Sequence, residues 1–154
     1  MATDLPDIDE YEVRVHDVGS GRELVAAVEL ASLANQDRPD HRRAFVAKCA
    51  SLLQQRVAIA IVDVVTTRNV NLYAELLEFL GSGEHRLAAL PPALYAVACR
   101  AVKRKDSSLL ETWEHPLALG RPLPVLPLWL APDLVVPLDL EQGYEATCRV
   151  LRIA

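Results

Sequence analysis

Glu29, Lys48 and Asp63 are the residues whose type and setting point to chemistry. Glu29 sits inside an otherwise apolar run, Leu24 to Leu30, that has the composition of a strand. An unpaired buried carboxylate shifts its pKa upward, by as much as ~3–5 units when fully buried, so the position demands a partner. Lys48 lies three positions after Phe45 and four before Leu52, on the border of a helix's apolar face, where a long side chain can bend its amine inward. Asp63 stands near the C-terminal end of the following apolar strand, where ligands gather in open α/β sheets. Two carboxylates converging on one point suit Mg²⁺, which takes oxygen ligands and keeps several waters. A lysine beside such a metal can orient or deprotonate the attacking water. Catalytic roles for Glu29 and Lys48, with Glu29 and Asp63 as metal ligands and Ser32, Asn35 and Arg43 in support, are therefore the expectation for a site. The competing expectation is structural: Glu29 pairs with Lys48 or Arg43 only to survive burial.

The elements that must position these residues can be read in order. Glu10 to Asp17 alternates, with Tyr11, Val13 and Val15 on one face, and Gly19-Ser20-Gly21 turns it into Leu24 to Leu30, which predicts a hairpin. Ser32, Asn35 and Gln36 follow in a predicted loop. A helix is predicted over Asp37 to Gln55, with Pro39 in its first turn and Phe45, Val46, Cys49, Leu52 and Leu53 on one face. Val57 to Val65 is almost continuously apolar, as in a strand covered on both faces. Strand, helix and strand at this spacing imply a parallel pair with a right-handed crossover. Further along, a helix is predicted over Leu72 to Leu80, capped by Asn71 and stopped by Gly81. Strands over Leu94 to Val102 and Leu109 to Glu114 flank a charged turn at Lys103 to Ser107. Six of the ten prolines fall between Pro116 and Pro137, which predicts an extended strap over the core with Leu126, Leu128 and Trp129 tucked in. Asp139 with Gln142 opens a last helix, Leu140 to Leu151.

The chain of 154 residues is read as one α/β domain: a loose acidic leader over 1–9, a core over 10–102, and a hairpin, strap and final helix over 103–154. Aliphatic residues must build the core, since 51% of the chain is hydrophobic and only 5% aromatic. No apolar run reaches the ~18–20 residues of a membrane span. The acidic N-terminus lacks a basic and then apolar leader, which argues for the cytoplasm. A net charge of −5 does not favour a nucleic-acid partner. Cys49, Cys99 and Cys148 show no metal-ligand spacing and are read as core residues, as Trp113 and Trp129 are read as packing residues.

Three segments, in order, resemble the bacterial domain-of-unknown-function family 4058. VELASLAN (Val28 to Asn35) resembles its E-V-x-S-P-x-N-K segment, with Leu33 and Gln36 in place of that Pro and Lys. Arg42 to Val65 resembles its helix and the strand ending in Asp, and Leu123 to Ile153 resembles its Pro-spaced closing segment. The resemblance implies a restriction-endonuclease-like fold of the PD-(D/E)XK type, a mixed central sheet closed by a Pro-rich strap and C-terminal helix. It also implies that Glu29 matches the second acidic position and Lys48 a lysine moved onto the helix. The family's earlier strand bearing the first acidic residue has no counterpart in this reading, and Asp7 and Asp9 precede the first strand.

Two functions follow. The incomplete site and the negative charge favour a non-catalytic interaction or assembly module, associating with a second copy or a protein partner through a sheet edge. The alternative is a Mg²⁺-dependent nuclease using Glu29 and Lys48, its second carboxylate supplied by Asp63 or by another chain.

Overall fold

A computed structural model describes residues 11–19, 21–67, 70–82 and 94–153. The predicted leader, with Asp7 and Asp9, and most of the predicted loop over 82–92 lie outside the described residues. Two strands open the chain, β1 (Tyr11–Asp17) and β2 (Glu23–Leu30). Two helices follow, α1 (Leu33–Asp37) and α2 (Pro39–Gln54), then β3 (Ala58–Asp63) and α3 (Leu72–Leu80). The second half comprises β4 (Tyr95–Lys103), β5 (Ser108–Pro116), β6 (Val125–Ala131), β7 (Leu134–Asp139) and α4 (Leu140–Leu151). The fold is mixed α/β. Its main sheet has the order β1-β2-β3-β4-β5, with β2 and β3 parallel and the other neighbours antiparallel. Among the described residues no helix is long and apolar enough to cross a membrane.

β3 lies at the centre and all six of its residues are buried, which explains its unbroken apolar run. Its alternate side chains enter two cores. Ile59 and Ile61 meet Phe45, Val46, Cys49 and Leu53 of α2 and the α3 residues Leu72, Leu76 and Leu77. On the other face Ala58 and Ala60 join Ala26, Ala96 and Ala98 in a floor of small side chains, onto which Leu126 and Leu128 press.

The Pro-rich segment departs from the predicted strap. It forms a second, two-stranded sheet, β6 against β7, with Pro127 paired to Pro137. Proline removes a ladder donor, but both strands of a two-stranded sheet are edges, and there proline is tolerated. Leu126 and Leu128 are buried as predicted, while Trp129 is half-buried and stacks on Arg100, whose guanidinium lies 3.5 Å from the indole centroid. Asp139 caps α4 by accepting the Gln142 N–H at 2.9 Å. No residue of α4 is buried.

The predicted helix over Asp37 to Gln55 is α2, which starts at Pro39, two residues later than predicted; Asp37 is instead the last residue of α1. Pro39 begins α2, and the residue before a proline is driven to extended backbone, so Arg38 (φ −131°, ψ 147°) breaks the run. The predicted loop before it is α1. Ser32 caps that helix: its Oγ accepts the Asn35 N–H at 3.3 Å while Asn35 Oδ1 accepts the Ser32 N–H at 2.9 Å. Substituting Ser32 by Ala removes half of this reciprocal cap and is expected to destabilise by about 1 kcal/mol, measured by urea unfolding.

Candidate functional site

β2 brings Glu29 to the helix-covered face of the sheet. Glu29 is opposite Ile61 in the parallel register and opposite Glu12 in the antiparallel one. All three side chains therefore emerge on one face, under α2. Glu29 is 1% exposed, and Lys48 reaches down from α2 to place Nζ 2.8 Å from Glu29 Oε2. The same ammonium stands 3.7 Å from Glu12 Oε2. Arg14, two residues along β1, closes on Glu12 Oε1 at 2.7 Å. Phe45, one turn before Lys48 on α2, lies with its ring centroid 5.5 Å from the ammonium.

Two carboxyls side by side with one lysine do not ionise alike. Burial is the largest influence on Glu29 and pushes its pKa up; Lys48 opposes the rise, and the neighbouring Glu12 adds to it. Burial also pushes Glu12 upward, but hydrogen bonds from Glu29 and Arg14 and the charge of Lys48 outweigh it and hold this carboxyl below its ordinary value. Of the two, Glu29 is thus the carboxyl that takes up a proton first as pH falls, and Glu12 the one that stays ionised longest. Glu12 Oε2 and Glu29 Oε1 are both buried, and the two carboxyls hydrogen-bond to each other. Beneath them the Cys49 thiol is pushed up to about 12, by burial first and then by Glu29, so it stays protonated.

Asp63 occupies a different setting. Its Oδ2 accepts from Gln36 Nε2 at 2.8 Å and its Oδ1 from the Val65 N–H at 3.1 Å. Burial raises its pKa, and these two donors and the Tyr95 hydroxyl oppose the rise. Its oxygens are committed to fastening α1 and the strand end, and the carboxylate that meets Glu29 is Glu12. Tyr95 also accepts the Tyr73 N–H at 3.1 Å, which supplies a partner for a buried donor in the first turn of α3. Changing Tyr95 to Phe strands that donor and removes one from Asp63. The expected loss is about 2 kcal/mol by urea unfolding, and a loss under about 0.5 kcal/mol would contradict it.

Of the other residues singled out by sequence, Ser32 and Asn35 form the α1 cap, and Arg43 is exposed on α2 and takes no part in these contacts. Cys49 and Cys99 are buried in the core, and Cys148 is half-buried. Among the described residues no group of three or more His, Cys, Asp or Glu side chains is arranged to hold a metal.

Glu12 is absent from the sequence-derived site. Its signal is faint: it shares the polar face of β1 with Arg14 and His16, the pattern of any half-exposed strand. A β-bulge between Val15 and His16 decides its position. Near the turn His16 pairs with Leu24 and Asp17 with Glu23. Continued without the bulge, that register sets Glu12 opposite Val28, on the other face. Comparison of the chain with family models, curated proteins and solved structures finds no match.

Proposed function

We propose that this chain is a divalent-cation-dependent phosphodiester hydrolase on a PD-(D/E)XK-like core, with Glu12 and Glu29 holding the cation and Lys48 beside them. The observation that carries the reading is two carboxyls, Glu12 and Glu29, side by side on neighbouring strands, with the Lys48 ammonium 2.8 Å from Glu29 Oε2 and 3.7 Å from Glu12 Oε2. The donor set fits Mg²⁺, which is commonly held by one or two carboxylates with waters and substrate phosphate completing its shell. The sequence places the second carboxylate at Asp63 or in another chain; Glu12 is the better candidate because its carboxyl is already beside Glu29.

Bound there, the cation would polarise a phosphoryl oxygen and lower the pKa of a coordinated water. The chain's own residues have defined tasks. Glu12 and Glu29 would hold the cation through their carboxylate oxygens, Glu29 in its ionised form. Lys48 keeps its proton on Nζ and offers N–H donors to a water or phosphate oxygen entering between the carboxyls. Because Glu29 has a raised pKa, cation binding displaces a proton and tightens as pH rises through that value.

The test is nicking of supercoiled DNA with Mg²⁺ or Mn²⁺, alongside calorimetric titration of the cation alone. Wild type is expected to nick only with the cation, and Glu12→Gln, Glu29→Gln and Lys48→Met to lose the activity. Cation binding is expected to weaken in the two Gln variants and to strengthen from pH 5.5 to 8 in the wild type. Nicking that survives all three substitutions, or a wild type that neither binds the cation nor nicks, overturns the proposal.

A further inference from the structure

β1 lies at the edge of the main sheet, and among the described residues nothing pairs with its outer side. An open strand edge is a template for another strand, and natural edges are commonly blunted by charge, proline or a bulge. Here the extra residue of the bulge, Val25, lies on β2, and the pairing from Tyr11 to Val15 is regular. Within that stretch Tyr11 and Val13 are each 57% exposed on one face. Arg14 is half exposed on the other, beside Glu12. The opposite edge, β5, has no comparable stripe: its one large, well-exposed apolar side chain is Leu109, next to the turn.

We infer that β1 pairs antiparallel with β1 of a second copy about a twofold axis through Val13. Directly paired residues must share a face, so a symmetric register has to be centred on a residue and not between two. Centring on Glu12 puts two glutamates opposite, and centring on Arg14 puts two arginines opposite. The sequence around Tyr11 sets Glu10 against Glu12 in a register centred there, again like charges. A register centred on Val15 sets Arg14 against His16 and the apolar Val13 against Asp17, with no opposite-charge pair between Arg14 and Glu12. Only the Val13 register joins opposite charges without setting like charges face to face, Glu12 to Arg14 of the partner subunit and Arg14 to Glu12 of the partner subunit. On the other face it lays Tyr11 against the partner's Val15 and Val13 against the partner's Val13. Opposed charges and apolar pairs of this kind stabilise neighbouring strands, and like charges directly opposite oppose them.

The pairing makes one ten-stranded sheet from two five-stranded ones. It brings an arginine of each copy to the other copy's Glu12, whether or not the Glu12–Glu29–Lys48 cluster is hydrolytic. The test reads register and not activity. Val13→Cys, made in a Cys148→Ser background, is expected to give a covalent dimer of twice 17.0 kDa on mild oxidation. Val15→Cys is expected not to, since its twin lies four positions away along the seam. Arg14→Glu, at an exposed position, is expected to weaken association about tenfold or more in sedimentation equilibrium, with an unchanged circular dichroism spectrum. A wild-type chain that stays monomeric at all concentrations overturns the inference. So does a Val15→Cys chain that cross-links as well as or better than the Val13→Cys chain, or a dimer indifferent to Arg14→Glu, which would place the contact on another surface.

Discussion

Lys48→Met is expected to lower the unfolding free energy by about 3 kcal/mol at pH 8, and by much less at pH 5. Removing one member of a buried pair leaves the other charge uncompensated, which typically costs ~3–5 kcal/mol. The low end applies because the Lys48 side chain is 24% exposed. Glu29, by contrast, is 1% exposed. The pH dependence follows from its direction of shift. A carboxyl whose folded pKa is raised binds its proton more tightly in the folded state. Its contribution to stability is complete below the ordinary carboxyl value and is lost as pH rises through the raised one. Lys48 opposes the rise in Glu29, so without it the folded value climbs further and the loss spreads over a wider window above 4.5. Glu12 runs the other way: its lowered value stabilises above the ordinary carboxyl range and fades as pH falls. At pH 5 the Lys48→Met protein escapes by protonating Glu29; at pH 8 it cannot. Urea titrations at the two pH values check this, and equal losses at both would refute it. The double substitution Glu29→Leu with Lys48→Met is expected to recover most of the deficit, because an apolar pair of similar volume removes the stranded charge.

Leu126→Ala carries an expected loss of about 4 kcal/mol. Leu126 is fully buried on β6, where the hairpin crosses β2, β3 and β4. Its floor is alanine: Ala26, Ala58, Ala60, Ala96 and Ala98 have no further atoms to swing into the space a truncated Leu126 would leave. The cavity therefore stays open, which is the condition under which Leu→Ala substitutions approach the upper part of their range. Denaturant unfolding gives the number. Leu134→Ala, at a position 51% exposed on the neighbouring strand, serves as the control, with an expected change within about 0.5 kcal/mol. A loss at Leu126 no larger than at Leu134 would mean that the hairpin does not hold this face of the sheet.

Local chemistry decided much of this molecule, and it can be read from the chain alone. The helix at Leu72–Leu80 runs from an asparagine cap, whose Oδ1 accepts the Ala74 N–H at 2.9 Å, to Gly81 in the left-handed region (φ +65°). The helix at Leu140–Leu151 starts at the Asp139 cap, and the covered strand at Ala58–Asp63 announces itself by an unbroken apolar run. Such signals act within a few residues, so no knowledge of the rest of the fold is needed to see them. Glu29 likewise declares its need for a partner, and Lys48 its reach, from burial and helical spacing. The short helix at Leu33–Asp37 was available as well, in the Ser32–Asn35 cap, but five residues give too little periodicity to outweigh a loop reading. Which second carboxylate stands beside Glu29, and that two prolines pair across a hairpin instead of lying in a strap, were settled only by tertiary structure. Both depend on strand register. A single extra residue, Val25 on β2, opposite the Val15–His16 step of β1, carries Glu12 from one face of the sheet to the other, and a pattern of period two contains no term for where that extra residue falls.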